Sequence, residues 1–375
     1  MRRSSAAAAF LLATGLTVGA RAEAPSEPAR PATIAHEILE LESAAADVTP
    51  EMYALLDGLL DEAKALGLPP KAASPAQARD ALTRIDQLLT RHGFAAPSWG
   101  QVETLRDALN PTQIDKSKAG ALARYHNDRR AAYIKDHPSA AFHFFDSDSG
   151  SFLYMAIGEV TGLPISIMER PGAGAFQGNH HFIRYRLENG APFYWDVVAG
   201  DEQRGVDAAI ALDRNMTLGY ARWTRANAWL RVASYRRATA DFEAAVKLAP
   251  ANAGVFNGFA WMLATCPDPL YRNGDYAVSY ARIATQLAPA NPAYEDTLAA
   301  ALAATGQFAA ARAAEQSAIK ERGVTGDGAD EYHHRAKLYG DGEPYLAARR
   351  EEQIARDYCE QFSESPRATL QCPAP

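Results

Sequence analysis

Between Ile34 and Leu109, apolar residues recur three and four positions apart. AHEILELESAAA, PEMYALLDGLLDEAKAL and SPAQARDALTRIDQLLTRHGF each predict an amphipathic helix, and Ser74-Pro75 supplies an N-cap with a first-turn proline. The stretch from Asp107 to Asp136 continues with a charged run, KSKAGALARYHNDRRAAYIKDHP, which reads as a solvated helix face. Beyond Asp146 the pattern changes. Ser147, Asp148 and Ser149 read as N-cap residues ahead of Phe152, Leu153, Ala156, Ile157 and Val160 at helical spacing, and Gly162 and Pro164 stop that helix. ISIMER, HHFIRYRL and PFYWDVV then predict three strands, with Asn189-Gly190 as the hairpin turn between the last two. The Gly-rich ERPGAGAFQGN (169–179) lacks phosphate-loop spacing and reads as a connection leading up to His180.

From about Tyr220 the chain becomes Ala-rich and helical. Ala226, Trp229, Tyr235, Ala238, Phe242, Ala245 and Pro250 fall at positions 8, 11, 17, 20, 24, 27 and 32 of a pattern about 34 residues long. Small residues let paired helices approach, aromatics fill the space between turns, and the proline is expected to start the next helix. A second unit around 257–289 is longer, the excess lying in CPDPLYRNG, and a third begins near Pro292, with Ala299, Leu302, Gly306, Phe308, Ala311 and Ala318 in register. These units resemble tetratricopeptide (TPR) repeats of a bacterial subtype marked by A-W-x-L-A-T-C-P-D-P and N-P-A-Y-x-D-T-L-A-A. KLYGDGEPYLA matches the segment that often follows them. The resemblance implies a solenoid with a capping helix over 331–360 and a groove holding a protein or peptide; a scaffold without ligand is the alternative.

The order of helix, His-bearing strand and acid-bearing strand over 146–200 resembles the transglutaminase-like branch of the papain-type superfamily. SDSGSFLYMA (147–156) is similar to that family's C-D-x-x-S-F-L-Y-x-A, HHFIRY to its H-x-F-V-R-W strand, and FYWDVV to its N-W-[DE] element. The resemblance places Ser147 in the nucleophile slot, His180 as the base and Asp196 as the orienting acid, with helix N–H groups beginning at Asp148 as an oxyanion hole. The family has cysteine where this chain has Ser147. A thiol ionises readily beside an imidazole, whereas a hydroxyl must lose its proton during attack, and sites shaped for sulfur do not usually give oxygen that alignment. The resemblance with this departure implies an inactive domain; the alternative is a hydrolase or acyl transferase acting on peptide amides through Ser147, His180 and Asp196. A third reading keeps the cleft for a peptide or glycan strand lined by Tyr185, Tyr194 and Trp195, although aromatics on strands are more often core.

Charge and composition narrow the partners. A net charge of -7 argues against nucleic acid or an anionic membrane surface. Arg2-Arg3, an apolar run and Ala20-Arg21-Ala22 read as a secretory signal peptide over 1–22, cleaved after Ala22, so the expected location is the periplasm or outside the cell. No other stretch is apolar enough to span a membrane. EAPSEPARPAT (23–33) reads as a linker. Neither His180-His181 nor His333-His334 has chelating spacing, since adjacent strand residues point to opposite faces, and no metal or other cofactor is expected. Of the three cysteines, Cys266 reads as a small buried residue, and Cys359 with Cys372 as a pair able to close a disulfide in an oxidising compartment.

The expected architecture is therefore an α+β papain/transglutaminase-like domain over 34–200, with a helical front part (34–140) and a core (146–200). An all-α TPR solenoid over 216–360 and a tail over 361–375 follow. The expected function is protein or peptide binding.

Overall fold

The structure, a computed structural model, describes residues 32–96, 104–113, 128–137, 141–170, 180–207, 209–289, 291–322 and 329–347. The expected signal peptide, the 171–179 connection, the Cys359–Cys372 pair and the tail lie outside them. Within them the front of the chain mixes helix and sheet, and the rest is helical.

Three helices open the chain as the periodicity predicts: α1 (Ile34–Ser43), α2 (Pro50–Ala65) and α3 (Pro75–Arg91). Ser74 caps α3 through Gln77 N–H and Pro75 occupies its first turn. Then come β1 (Phe94–Ala95), α4 (Leu105–Leu109), β2 (Thr112–Gln113), α5 (Asp128–Asp136) and β3 (Ala141–Phe144). β3 pairs in parallel with β1 and antiparallel with β2, a small sheet that the hydropathy pattern does not announce.

The charged run departs from its expected role as a solvated face. Arg130 on α5 has a fully buried side chain, whose guanidinium donates to Asp86 and to the carbonyls of Val197 and Val198, while Arg129 donates to Asp86 and Gly200 O. These bonds pin α5 to α3 and to the turn over residues 197–200. A guanidinium carries five donors, so it can be buried where several carbonyls converge.

Helix α6 (Ser147–Thr161) ends at Gly162, whose φ of 71° is the left-handed cap that glycine adopts without strain. It packs on a five-stranded antiparallel sheet of order β7-β6-β5-β4-β8, built from β4 (Ile165–Arg170), β5 (His180–Arg186), β6 (Pro192–Asp196), β7 (Asp201–Glu202) and β8 (Ile210–Leu212). Gly190, at φ 82°, turns the β5–β6 hairpin. Alternation sends Ile165, Ile167, Ile183, Tyr185, Phe193 and Trp195 into the core against Phe152, Leu153 and Ile157 of α6. Each such side chain contributes about 1.5–3 kcal/mol on burial. Trp195 Nε1 also donates to Tyr154 Oη at 3.2 Å, which pairs these two polar tips inside the core. Gly150 and Gly158 allow the close approach: a Cβ at Gly150 would sit 2.6 Å from the Phe145 ring, and one at Gly158 2.5 Å from Ile165.

The helical part comprises α7 (Arg214–Arg231), α8 (Tyr235–Leu248), α9 (Ala253–Thr265), a 3-10 turn (Pro269–Tyr271), α10 (Gly274–Leu287), α11 (Pro292–Ala304), α12 (Phe308–Arg322) and α13 (Ala329–Gly340). Asp213, Asn252, Asn273 and Asn291 cap α7, α9, α10 and α11 through side-chain oxygens. Consecutive helices pair as α7–α8, α9–α10 and α11–α12. Ala226, Trp229, Ala238, Phe242 and Ala245, expected at the packing positions, are buried. The extra CPDPLYRNG forms the 3-10 turn between α9 and α10. Pro292 opens α11 as expected, but Pro250 lies in the turn before α9, which starts at Ala253 behind Asn252. Helix α13 ends at Gly340, and Gly342 at φ 78° turns the chain that follows it, so the described part of the expected 331–360 capping helix is shorter than that range.

Two arginines of α7 help to join the helical part to the front. Arg214 bridges Glu37 and Glu159, and Glu159 also accepts from Ile34 N–H at 2.7 Å. Arg225 donates to Leu41 O while its other nitrogens hold Asp241.

Candidate functional site

The N-cap of α6 is Asp146, one residue earlier than the sequence reading placed it. Its Oδ1 accepts from the backbone N–H of Asp148 at 3.0 Å, from that of Ser149 at 2.9 Å and from Ser149 Oγ at 2.7 Å, and Ser149 Oγ accepts in return from Asp146 N–H. This is a reciprocal capping box. Burial and the neighbouring Asp148 charge raise the Asp146 carboxyl to about 7. The helix-start N–H groups of Asp148 and Ser149 are thus already bound to a side chain of the same turn.

Ser147 occupies the first helical position. Its hydroxyl donates to Asp148 Oδ1 at 3.2 Å and makes no hydrogen bond to His180. His180 and Asp196, by contrast, come together. His180 Nε2 lies 3.3 Å from Asp196 Oδ2 and 3.3 Å from Gln203 Oε1, and its ring stacks on Phe182 with centroids 6.0 Å apart. Asp196 Oδ1 accepts from Val198 N–H at 2.8 Å and Ala199 N–H at 2.9 Å. Burial works to raise the Asp196 carboxyl, but the His180 contact and these two backbone donors outweigh it and hold it below the usual carboxylate range. The expected acid and base are therefore assembled; the expected nucleophile is bonded elsewhere.

The neighbouring histidine carries the larger network. His181 is buried, with Nδ1 donating to Asp148 Oδ1 and Nε2 lying 3.3 Å from Glu169 Oε2. Tyr220 on α7 donates its hydroxyl to Asp148 Oδ2 at 2.6 Å and meets the His181 ring edge-on at 4.5 Å, and Asn252 Nδ2 donates to Glu169 Oε2. Burial would depress His181, but the Asp148 charge and the bonds to both carboxyls raise it to about 10. Asp148 moves the other way: burial would raise it, and His181, Tyr220 and Ser147 lower it. With a carboxyl at each ring nitrogen, His181 is an imidazolium with no lone pair to accept a proton.

Sequence reading missed Asp146, Asp148, His181, Glu169, Tyr220 and Asn252 as one cluster. The HH pair was the available signal, because alternation sends one ring to each face. Trp195 and Tyr185 are core residues, 1% and 0% exposed, and Tyr194 is half-buried, which removes two of the three aromatics expected to line a cleft. Cys266 is buried, as expected. No group of three or more metal-ligating side chains converges among the described residues, and none of their helices is long and apolar enough to cross a membrane.

No protein-family model matches this chain, and no curated protein matches it.

Proposed function

We propose that this chain is an exported protein- or peptide-binding protein. Its front part is a transglutaminase-like domain without turnover, and its paired helices are TPR repeats that hold the ligand. One observation carries the loss of turnover: Asp146 already occupies the two helix-start N–H groups that an oxyanion would need. An anion developing beside Ser147 would meet the carboxyl groups of Asp146 and Asp148 rather than free donors. Among the described residues, the acceptor bonded to the Ser147 hydroxyl is Asp148, a weak base held by His181 and Tyr220. The succession of capped helix pairs supports the binding role, since stacked pairs present an extended surface.

The alternative is a hydrolase or acyl transferase using Ser147, His180 and Asp196. The 3.3 Å contact between His180 and Asp196 favours it, for that is where an orienting acid belongs. Treating the protein with a fluorophosphonate and mapping adducts by mass spectrometry separates the two. The binding reading expects Ser147 unlabelled. An adduct on Ser147 that disappears in His180→Ala would replace it with the hydrolase.

A further inference from the structure

A cleft of about 670 Å³ opens where the α1–α2 loop faces the α7–α8 turn, lined by Asp47, Val48, Trp229, Val232, Ser234 and Arg237 among others. It is away from the His180–Asp196 pair and uses none of its residues. Arg237 lies over the Trp229 ring, 4.7 Å from its centroid. The other arginines of this hairpin that reach a carboxylate, Arg222 and Arg225, spend their charge on Asp241, which also accepts from Trp229 Nε1. Arg237 has no ion-pair or hydrogen-bond partner among the described residues. Stacking restrains a guanidinium flat against the indole and leaves its N–H edge for a two-pronged bond to a carboxylate.

The facing wall offers a different chemistry. Asp47 and Val48, between α1 and α2, line the cleft, and their backbone N–H groups make no hydrogen bond among the described residues. The Ser234 hydroxyl, beside Arg237, caps nothing. Val48 and Val232 supply apolar surface between these polar groups. Unbonded backbone donors, small apolar walls and one unpaired guanidinium together match a short peptide, and the volume is that of a site for a few residues.

We infer that this cleft binds the C-terminal end of a peptide, its terminal carboxylate on Arg237 and its main chain along Asp47 and Val48. Asp47, contributed by the opposite wall, favours a neutral or basic residue upstream of that carboxylate. The site is separate from the groove expected along the helical stack.

The test uses the full chain and a degenerate pentapeptide library made in two forms, with a free C-terminal carboxylate and with a C-terminal amide. Bound members are identified by mass spectrometry, and their affinities are measured by titration calorimetry. Free-acid peptides are expected to bind at least about tenfold more tightly than their amides, the scale of one charge-assisted bond pair. Arg237→Glu is expected to abolish that preference, and Ala44→Trp, which fills the cleft from its exposed rim, to abolish binding. Circular dichroism confirms that both surface variants fold. Peptides that bind equally as acid and amide, or that still bind both variants, place the ligand elsewhere and overturn the inference while leaving the peptide-binding function standing. Absence of saturable binding by any member overturns both.

Discussion

Asn252 donates its side-chain amide to Glu169, tying the cap of helix α9 to strand β4 across 83 positions of chain. Both residues are buried, and the same Asn252 oxygen accepts Val255 N–H at 3.1 Å. One side chain therefore starts a helix and satisfies a buried carboxyl group of the front part. Asn252→Ala is expected to cost about 2–4 kcal/mol, roughly 1 for the cap and the rest for the donor lost to Glu169. Urea denaturation measures it. A loss confined to the cap value would mean that water replaces the amide at Glu169.

The His181 cluster sets a pH dependence. His181 moves from 6.5 to about 10 in the fold, so its contribution is complete below about pH 6.5 and disappears as pH rises towards 10. Glu42, raised from 4.5 to about 8 by burial, acts in the same direction at lower pH, because the unfolded chain loses that proton first. Stability should thus be lower near pH 9 than near pH 6. Glu315, raised from 4.5 to about 10 by burial and the Asp296 charge, adds to the same fall, so replacing His181 by Gln should make the upper part of the curve shallower without abolishing it. Parallel curves for the two proteins across that range would remove His181 as the cause.

Arg335 on α13 is the counterpart cluster in the last helices. It holds Asp296 with two bonds of 2.7 and 3.0 Å, lies 3.5 Å from Glu315, and stacks against Tyr332, Trp261 and Tyr345 at 4.7, 5.5 and 5.5 Å. Burial and the Asp296 charge raise Glu315 to about 10. Arg335→Met is expected to destabilise by about 3–5 kcal/mol, since it strands buried acids. Arg335→Lys should cost about 1–3 kcal/mol, because an ammonium keeps the charge but neither the fork nor the flat stacking. Equal losses from both, read by chemical denaturation, would show that a positive charge without the guanidinium fork contributes nothing there.

Ala233 turns the chain between α7 and α8 at φ 53°, the left-handed region, and is the one non-glycine to do so among the described residues. A Cβ there costs about 1–2 kcal/mol, partly offset by the greater freedom glycine has when unfolded. Ala233→Gly should therefore raise stability by about 0.5–1 kcal/mol, visible as a higher thermal midpoint. A lower midpoint would mean that the methyl group packs usefully in the turn.

Much of the local structure is legible in the chain. Apolar spacing gives α1 to α3 and α6, the NG pair gives the β5–β6 turn, and Ala226, Ala238 and Phe242 occupy the packing positions their spacing predicts. These features depend on residues two to four apart, whose geometry the backbone period sets. The cap of α6 falls one residue earlier than Ser147 because Asp146, Ser147, Asp148 and Ser149 can all cap a helix, so residue type does not choose among them.

The candidate site was decided at longer range. That Asp148 is taken up by His181 and Tyr220, that Glu169 meets Asn252, and that Arg130 is buried beside Asp86 follow from how whole elements dock. So does the placement of β8 at the sheet edge beside β4. Sequence alone brought Ser147, His180 and Asp196 into one hypothesis by their order along the chain. Tertiary structure joined His180 to Asp196 and gave the Ser147 hydroxyl to Asp148. A hydrogen bond is lost over a few tenths of an ångström and a few tens of degrees, a precision that residue order does not carry and close packing imposes.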